Sequence, residues 1–238
     1  ALYPGMGRFA AAAMAGRALA RAGGSRFIPG NATRLLVDGP EVFPAMLDAI
    51  RRADRWVHFE NYIIRDDTTG RRVYEALAER ARAGVAVRVL TDWLGSRGLG
   101  RRLAAELRAA GVEFRRFNPP RVLDLLGNAA RDHRKLVVTD AGTAIVGGLC
   151  IGDEWAGDPA HGIQPWRDTA IQMDGPAAMA LDHAFEQTWT LAGGVIPPGR
   201  HAGEFPAAGQ AEIGVVIGEP RRARIQRIVE LLAAGAVD

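Results

Sequence analysis

The amino-acid sequence predicts an α/β domain, and three observations predict it. From about Asn31 onward, short apolar runs rich in β-branched residues alternate with stretches whose apolar positions recur every three or four residues. Gly, Pro and Asp punctuate most of the junctions between them. The chain has 238 residues and is 48% hydrophobic, enough to enclose a packed core and to exclude disorder.

The elements follow in order. Residues 1–30 form a basic, Ala-rich segment: no acid occurs before Asp38, and Arg8, Arg17 and Arg21 interrupt the alanines. Those charges argue against a secretory apolar core. They leave a helix packed on the domain or one lying on an anionic membrane surface. Ala1 in place of Met reads as a processed or trimmed product. Leu35, Leu36 and Val37 make a strand, and Asp38, Gly39 and Pro40 turn into a helix carrying Phe43, Met46, Leu47 and Ile50. Residues 56–64 make the next strand, with His58, Glu60 and Tyr62 on one face and Phe59 and Asn61 on the other. A helix over 73–82 ends at Gly84. The strand over 85–90 leads to Asp92, Gly95 and Ser96, a loop at a strand's carboxyl end, where α/β proteins place sites. A helix over 98–110 presents Arg101, Arg102 and Arg108 to solvent, and a strand over 112–117 closes at Pro119 and Pro120. Val122, Leu123, Leu125 and Leu126 then place apolar side chains in a short loop, normally a polar position. They either pack on the domain or meet acyl chains.

The run RDHRKLVVTDAGTAIVGGLCIGDEW, residues 131–155, organises the chain. It reads as a strand, a turn at Asp140 and Gly142, and a second strand over 143–146. Alternation puts His133 and Lys135 on one face of the first strand, an imidazole and an ammonium side by side, which suits a bound phosphate. Lys135 is the only lysine among 30 basic residues, held where a compact point charge suits better than a planar fork.

HRKLVVTD (133–140), the Gly147–Gly148 pair, IGDEW (151–155) and the Trp166-Arg167-Asp168 triplet resemble the HKD motif of the phospholipase D superfamily, in its bacterial cardiolipin synthase-like branch. The similarity covers about residues 30–192. It implies an α/β/α sandwich with a mixed central sheet, and a phosphatidyltransferase that works through a phosphohistidine. By that resemblance His133 attacks phosphorus, or acts as the acid if the partner half attacks, and Lys135 stabilises charge on the phosphoryl oxygens. Asp168 holds the imidazole, and Asp140 completes the motif while fixing the turn. Gly147 and Gly148 let the backbone approach phosphate, and Glu60 supports the site. The family's phosphate-binding Asn falls at Cys150, the only cysteine, whose thiol donates weakly. The family builds one active site from two such motifs, because one imidazole cannot stand on both sides of phosphorus.

A strand over about 167–173 and a helix carrying Met179, His183, Phe185 and Trp189 complete the domain. The expected organisation is a basic segment (1–30), a first HKD domain (31–192), a Gly/Pro/Ala-rich linker (193–211) and the start of a second, truncated repeat (212–238). That last stretch repeats the β-run, turn and amphipathic helix of residues 34–54. The second motif is then expected from a missing C-terminal part, another chain or a homodimer.

Net charge is +3 and the pI about 9.6, which allows phosphate-bearing partners without choosing among them. A single Cys excludes an internal disulfide, and no run approaches 18 apolar residues. The five His and one Cys show no metal-ligand spacing, so no cofactor or metal is expected. The expected partners are a phosphatidylglycerol-like anionic lipid and a membrane surface, with nucleic acid ranked behind them. The expected location is cytoplasmic, peripheral on the bacterial inner membrane. Phospholipase D hydrolysis, a dimeric HKD nuclease and a non-catalytic lipid-binding module are the alternative readings.

Overall fold

A computed structural model describes residues 8–120, 131–158, 161–198, 205–218 and 224–237. In chain order they form α1 (Arg8–Gly23), β1 (Phe27–Val37), α2 (Asp38–Arg51), β2 (Trp56–Asn61), α3 (Thr68–Arg82), β3 (Ala86–Asp92), α4 (Arg101–Ala109) and β4 (Glu113–Phe117). There follow β5 (Leu136–Thr139), β6 (Thr143–Gly147), α5 (Asp153–Ala156), β7 (Thr169–Asp174), α6 (Ala178–Leu191), β8 (Ala211–Gly214) and α7 (Arg224–Val237).

The eight strands make one mixed sheet in the order β4-β3-β2-β5-β6-β7-β1-β8. β2, β3 and β4 are mutually parallel, as the intervening helices α3 and α4 require. β5, β6 and β7 form an antiparallel meander beside β2, and β1 closes antiparallel onto β7. Helices cover both faces, which gives the α/β/α sandwich. One core gathers Phe43, Leu47, Ile50, Phe59, Leu77 and Val89 under α2 and α3. The other gathers Trp56, Leu90, Val138, Phe185 and Trp189 under α6. Phe185 and Trp189 are fully enclosed and nearly stacked, 5.6 Å between ring centroids. Truncating either to Ala would cost about 3–5 kcal/mol.

Local sequence explains the ends of the elements. Asp67 caps α3, its Oδ1 accepting the Gly70 N–H at 2.9 Å, and Gly84 ends the helix region in the left-handed conformation (φ 89°) that Gly adopts without strain. Two expected elements are shorter or longer in the structure. β2 stops at Asn61, after which Ile64 bridges to Ile151. β1 begins at Phe27, because its first residues pair with β8. Residues 205–210 lie against the same edge: the Ala208 N–H donates to the Gly30 carbonyl at 2.8 Å, and the Phe205 ring stands 6.4 Å from Trp56. Among the described residues no helix is long and apolar enough to cross a membrane. The apolar loop at Val122, Leu123, Leu125 and Leu126 lies outside the described residues.

Candidate active site

The motif residues gather at the carboxyl ends of β2, β3 and β6, where the sheet changes from parallel to antiparallel. Open α/β sheets place ligands at such a crevice. β5 begins only at Leu136, opposite Glu60 of β2, so residues 131–135 are an extended lead-in and not part of the strand. Alternation still holds there. Arg134 points toward α6, donating to the Ala184 carbonyl at 3.0 Å, while His133 and Lys135 take the other side.

Asp92 fixes this lead-in. Its buried carboxylate accepts the Asp132 N–H at 3.0 Å through Oδ2, and the Leu94 and Gly95 N–H groups at 2.8 and 3.0 Å through Oδ1. One side chain thus ties the loop after β3 to the residue before His133. Such charge-assisted bonds exceed neutral ones in strength.

His133 is exposed, and Lys135 is buried behind it, its Nζ donating to the His133 carbonyl at 2.8 Å. The Tyr62 ring stands between them, 4.6 Å from the imidazole centroid and 5.2 Å from the ammonium. Partial burial and then the Lys135 charge push the His133 imidazole below its ordinary pKa, leaving it neutral and nucleophilic near neutrality. Burial also lowers the Lys135 pKa, against the opposing influence of Cys150, Asp132 and Asp168. Cys150 is buried, and burial raises its pKa, so the thiol is neutral.

The remaining expected residues fall into different places. Asp168 does not hold the imidazole, and no described residue hydrogen-bonds to the His133 ring. Its carboxylate instead accepts the Thr169 N–H at 2.6 Å and lies directly over Gly148. Its neighbour on the other side is Asp38, which accepts the Asp168 N–H at 2.7 Å. The two glycines make room within the protein. A Cβ on Gly147 would meet Ala170 Cβ at 2.5 Å, and one on Gly148 would collide with the Asp168 carboxylate. Asp140 lies at the far end of β5, about 16 Å along the chain from Lys135 at ~3.3 Å per residue. There it accepts the Asp54 and Trp56 N–H groups at 3.1 and 3.3 Å and pairs with Arg55 at 3.3 Å. Asp140, expected among the motif's catalytic residues and at its turn, anchors the entry to β2 and stays away from His133.

Glu60 lies beneath the lead-in, fully buried, with Arg134 Nε 3.0 Å from its carboxylate. Burial, and then the adjacent Asp132, raise its pKa well above the usual carboxylate range. A second buried pair was not anticipated: His58 Nδ1 lies 2.5 Å from Asp182 Oδ1, with the ring stacked on Phe185. Arg88 reaches the other ring nitrogen at 3.5 Å; Arg only donates, so that nitrogen is the acceptor and the ring is neutral, with Nδ1–H donating to Asp182. Burial lowers the His58 pKa in keeping with this. The available signal was three polar residues, His58, Glu60 and Asn61, set among the apolar Trp56, Val57 and Phe59 of one strand. Among the described residues there is no cluster of three or more His, Cys, Asp or Glu side chains suited to a metal ion.

Comparison with known proteins identifies the family. Residues 46–154 match the family model described as cardiolipin synthase, PLD-like domain. The chain is 38% identical over 183 residues to cardiolipin synthase A of Pseudomonas fluorescens, covering 76% of this chain and 38% of the relative. It is 43% identical over 160 residues to the cardiolipin synthase of Geobacillus thermodenitrificans, covering 66% of this chain and 31% of the relative. The chain thus spans less than two fifths of the length of these relatives. Among solved structures, the phospholipase D family member Nuc from Salmonella typhimurium superposes with a TM-score of 0.52 at 16% identity, covering 68% of this chain and 95% of that one. Phosphatidylserine synthase from Haemophilus influenzae superposes with a TM-score of 0.56 at 14% identity, covering 92% of this chain and 46% of that one. Both share the fold. With His133 and Lys135 side by side at the sheet's carboxyl edge and relatives of this similarity, the chain belongs to the phospholipase D superfamily, in its cardiolipin synthase-like branch.

Proposed function

We propose that this chain supplies one half of a phosphatidyltransferase active site of the cardiolipin synthase type. The observation that carries the reading is an exposed imidazole with a depressed pKa, His133, backed by a buried ammonium, Lys135. In the first step the unprotonated His133 nitrogen attacks phosphorus. An N–P bond forms, the P–O bond to the departing alcohol breaks, and the alkoxide takes a proton from a second imidazole. In the second step that imidazole removes the proton of an acceptor hydroxyl, whose oxygen bonds to phosphorus as the N–P bond breaks. Lys135 offsets the negative charge that builds on the non-bridging oxygens, and the Asp168 carboxylate, on the β7 side, favours the charged form of that ammonium. The second imidazole comes from another HKD half, whether a C-terminal part, a separate chain or a second copy.

The substrate class we assign is an anionic phospholipid resembling phosphatidylglycerol, met at a membrane surface. Support comes from the relatives' names and from the arginines of the first 30 residues, which favour an anionic leaflet. Peripheral attachment to the cytoplasmic face of the bacterial inner membrane follows from this reading. Incubation with labelled phosphatidylglycerol vesicles, alongside a plasmid, tests it. We expect a diphosphatidyl product when a second half is supplied, and a phosphorylated imidazole at position 133 by intact-protein mass spectrometry. Both are lost in His133→Ala. Plasmid cleavage without lipid turnover would replace this reading with a nuclease. Vesicle binding with no adduct would replace it with a lipid-binding module.

A further inference from the structure

The His133 ring reaches the solvent without a hydrogen bond to any described residue, although a nucleophile needs one orientation. What touches it is an aromatic ring. Tyr62, just past the end of β2, lies 4.6 Å from the imidazole centroid at an interplanar angle of 58°, a tilted arrangement that aromatic pairs prefer over a face-to-face sandwich. The Lys135 ammonium stands 5.2 Å from the centroid of the same ring, within cation–π range.

The Tyr62 ring is itself held. Gly95 presses on it so closely that a Cβ there would stand 2.8 Å from the ring carbons Cδ2 and Cε2 and would collide with the Tyr62 carbonyl oxygen. That carbonyl also accepts the Ser96 hydroxyl at 3.0 Å. The loop carrying Gly95 and Ser96 is the one that Asp92 ties to Asp132. Ring, loop and motif therefore form a closed circuit with few free rotations.

We propose that Tyr62 is the positioning residue of the site, its clamped ring setting the orientation of the His133 imidazole and holding the Lys135 ammonium at a fixed offset from it. This rests on the proposed roles of His133 and Lys135 in the reaction. Tyr62 acts through the two reacting side chains, and its ring, not its hydroxyl, does so.

NMR of the full chain tests the placement without requiring turnover. NOEs between the Tyr62 ring protons and the His133 ring are expected, and their absence overturns the proposal whatever the variants do. In Tyr62→Leu the His133 ring protons lose their ring-current shift, and the imidazole titrates at higher pH as packing around it loosens. In Tyr62→Phe both stay as in the parent. Tyr62→Met carries the same comparison if the Leu variant does not fold. Phosphohistidine formation slows by roughly 10- to 100-fold in Tyr62→Leu at unchanged KM and recovers in Tyr62→Phe. Parent-like shifts and titration in the Leu variant, or a Phe variant as impaired as Leu, overturn the proposal. A silent lipid assay with the NOEs intact counts against the proposed reaction and leaves the placement standing.

Discussion

Lys135 is where side-chain shape decides function most directly. Its Nζ sits between the His133 carbonyl at 2.8 Å and the Tyr62 ring, a compact point charge that a planar guanidinium would spread over a larger fork. Lys135→Arg should therefore slow phosphohistidine formation by roughly 100-fold, as expected for a displaced charge-stabilising group, while the urea midpoint stays near the parent's. Single-turnover mass spectrometry reads the first quantity. The same neighbour sets the pH behaviour. His133 titrates below the ordinary imidazole value of 6.5; with the neutral ring attacking, as proposed, the rate is expected to hold as pH drops through 6.5 and to decline only below it, as the ring protonates. With Lys135→Met the repulsion disappears, and the imidazole midpoint followed by NMR moves up. A midpoint that stayed or fell would contradict this electrostatic account.

Among the elements, β5 and β6 carry motif residues whose contribution is structural. Asp140→Ala removes the acceptor for two backbone N–H groups where β2 begins, which should cost about 1–3 kcal/mol in urea unfolding. Phosphohistidine yield per folded molecule should not change, since the lost contacts lie at the other end of β5. Gly148→Ala is different in kind. Its Cβ would collide with the Asp168 carboxylate, so β7 must shift, at about 1–3 kcal/mol for overpacking, and Lys135 loses a supporting charge. A loss of adduct formation together with stability is the expected result, and a stable, fully active variant would count against the assignment of Asp168. The succession of elements was legible because helical and strand periods are local properties: α2, β3, β4 and α6 fall where apolar spacing puts them, while α3 starts at Thr68, ahead of the expected Val73, where Asp67 caps it. The edges were less so. His133 and Lys135 precede β5 where Asp92 holds the Asp132 N–H and the Lys135 ammonium holds the His133 carbonyl, two contacts that no pattern of apolar residues encodes.

At the scale of the whole molecule the sheet order was beyond the reach of periodicity. Placing β5 beside β2 and β1 beside β7 depends on pairings between residues more than a hundred apart in the second case and about eighty in the first. The same distance in sequence concealed His58–Asp182, Asp92–Asp132 and Tyr62–His133, whereas the HKD residues were visible because they are contiguous. The buried His58 makes a prediction about global stability. Its folded-state pKa lies below 6.5, so on acidification the unfolded chain takes up that proton first. The stability present above pH 6.5 is therefore lost as pH falls through 6.5 toward the folded value, and then levels off. Urea midpoints measured across this range should drop less in His58→Gln than in the parent, and equal slopes would show that the pair does not report on folding.

One carboxylate, that of Asp92, joins the turn after β3 to the backbone of Asp132. The consequence is mechanical: stretches some forty residues apart are fastened to each other by a single side chain. An insertion ahead of Gly95 is expected to turn the His133 imidazole out of line, although it would fall far from it in sequence.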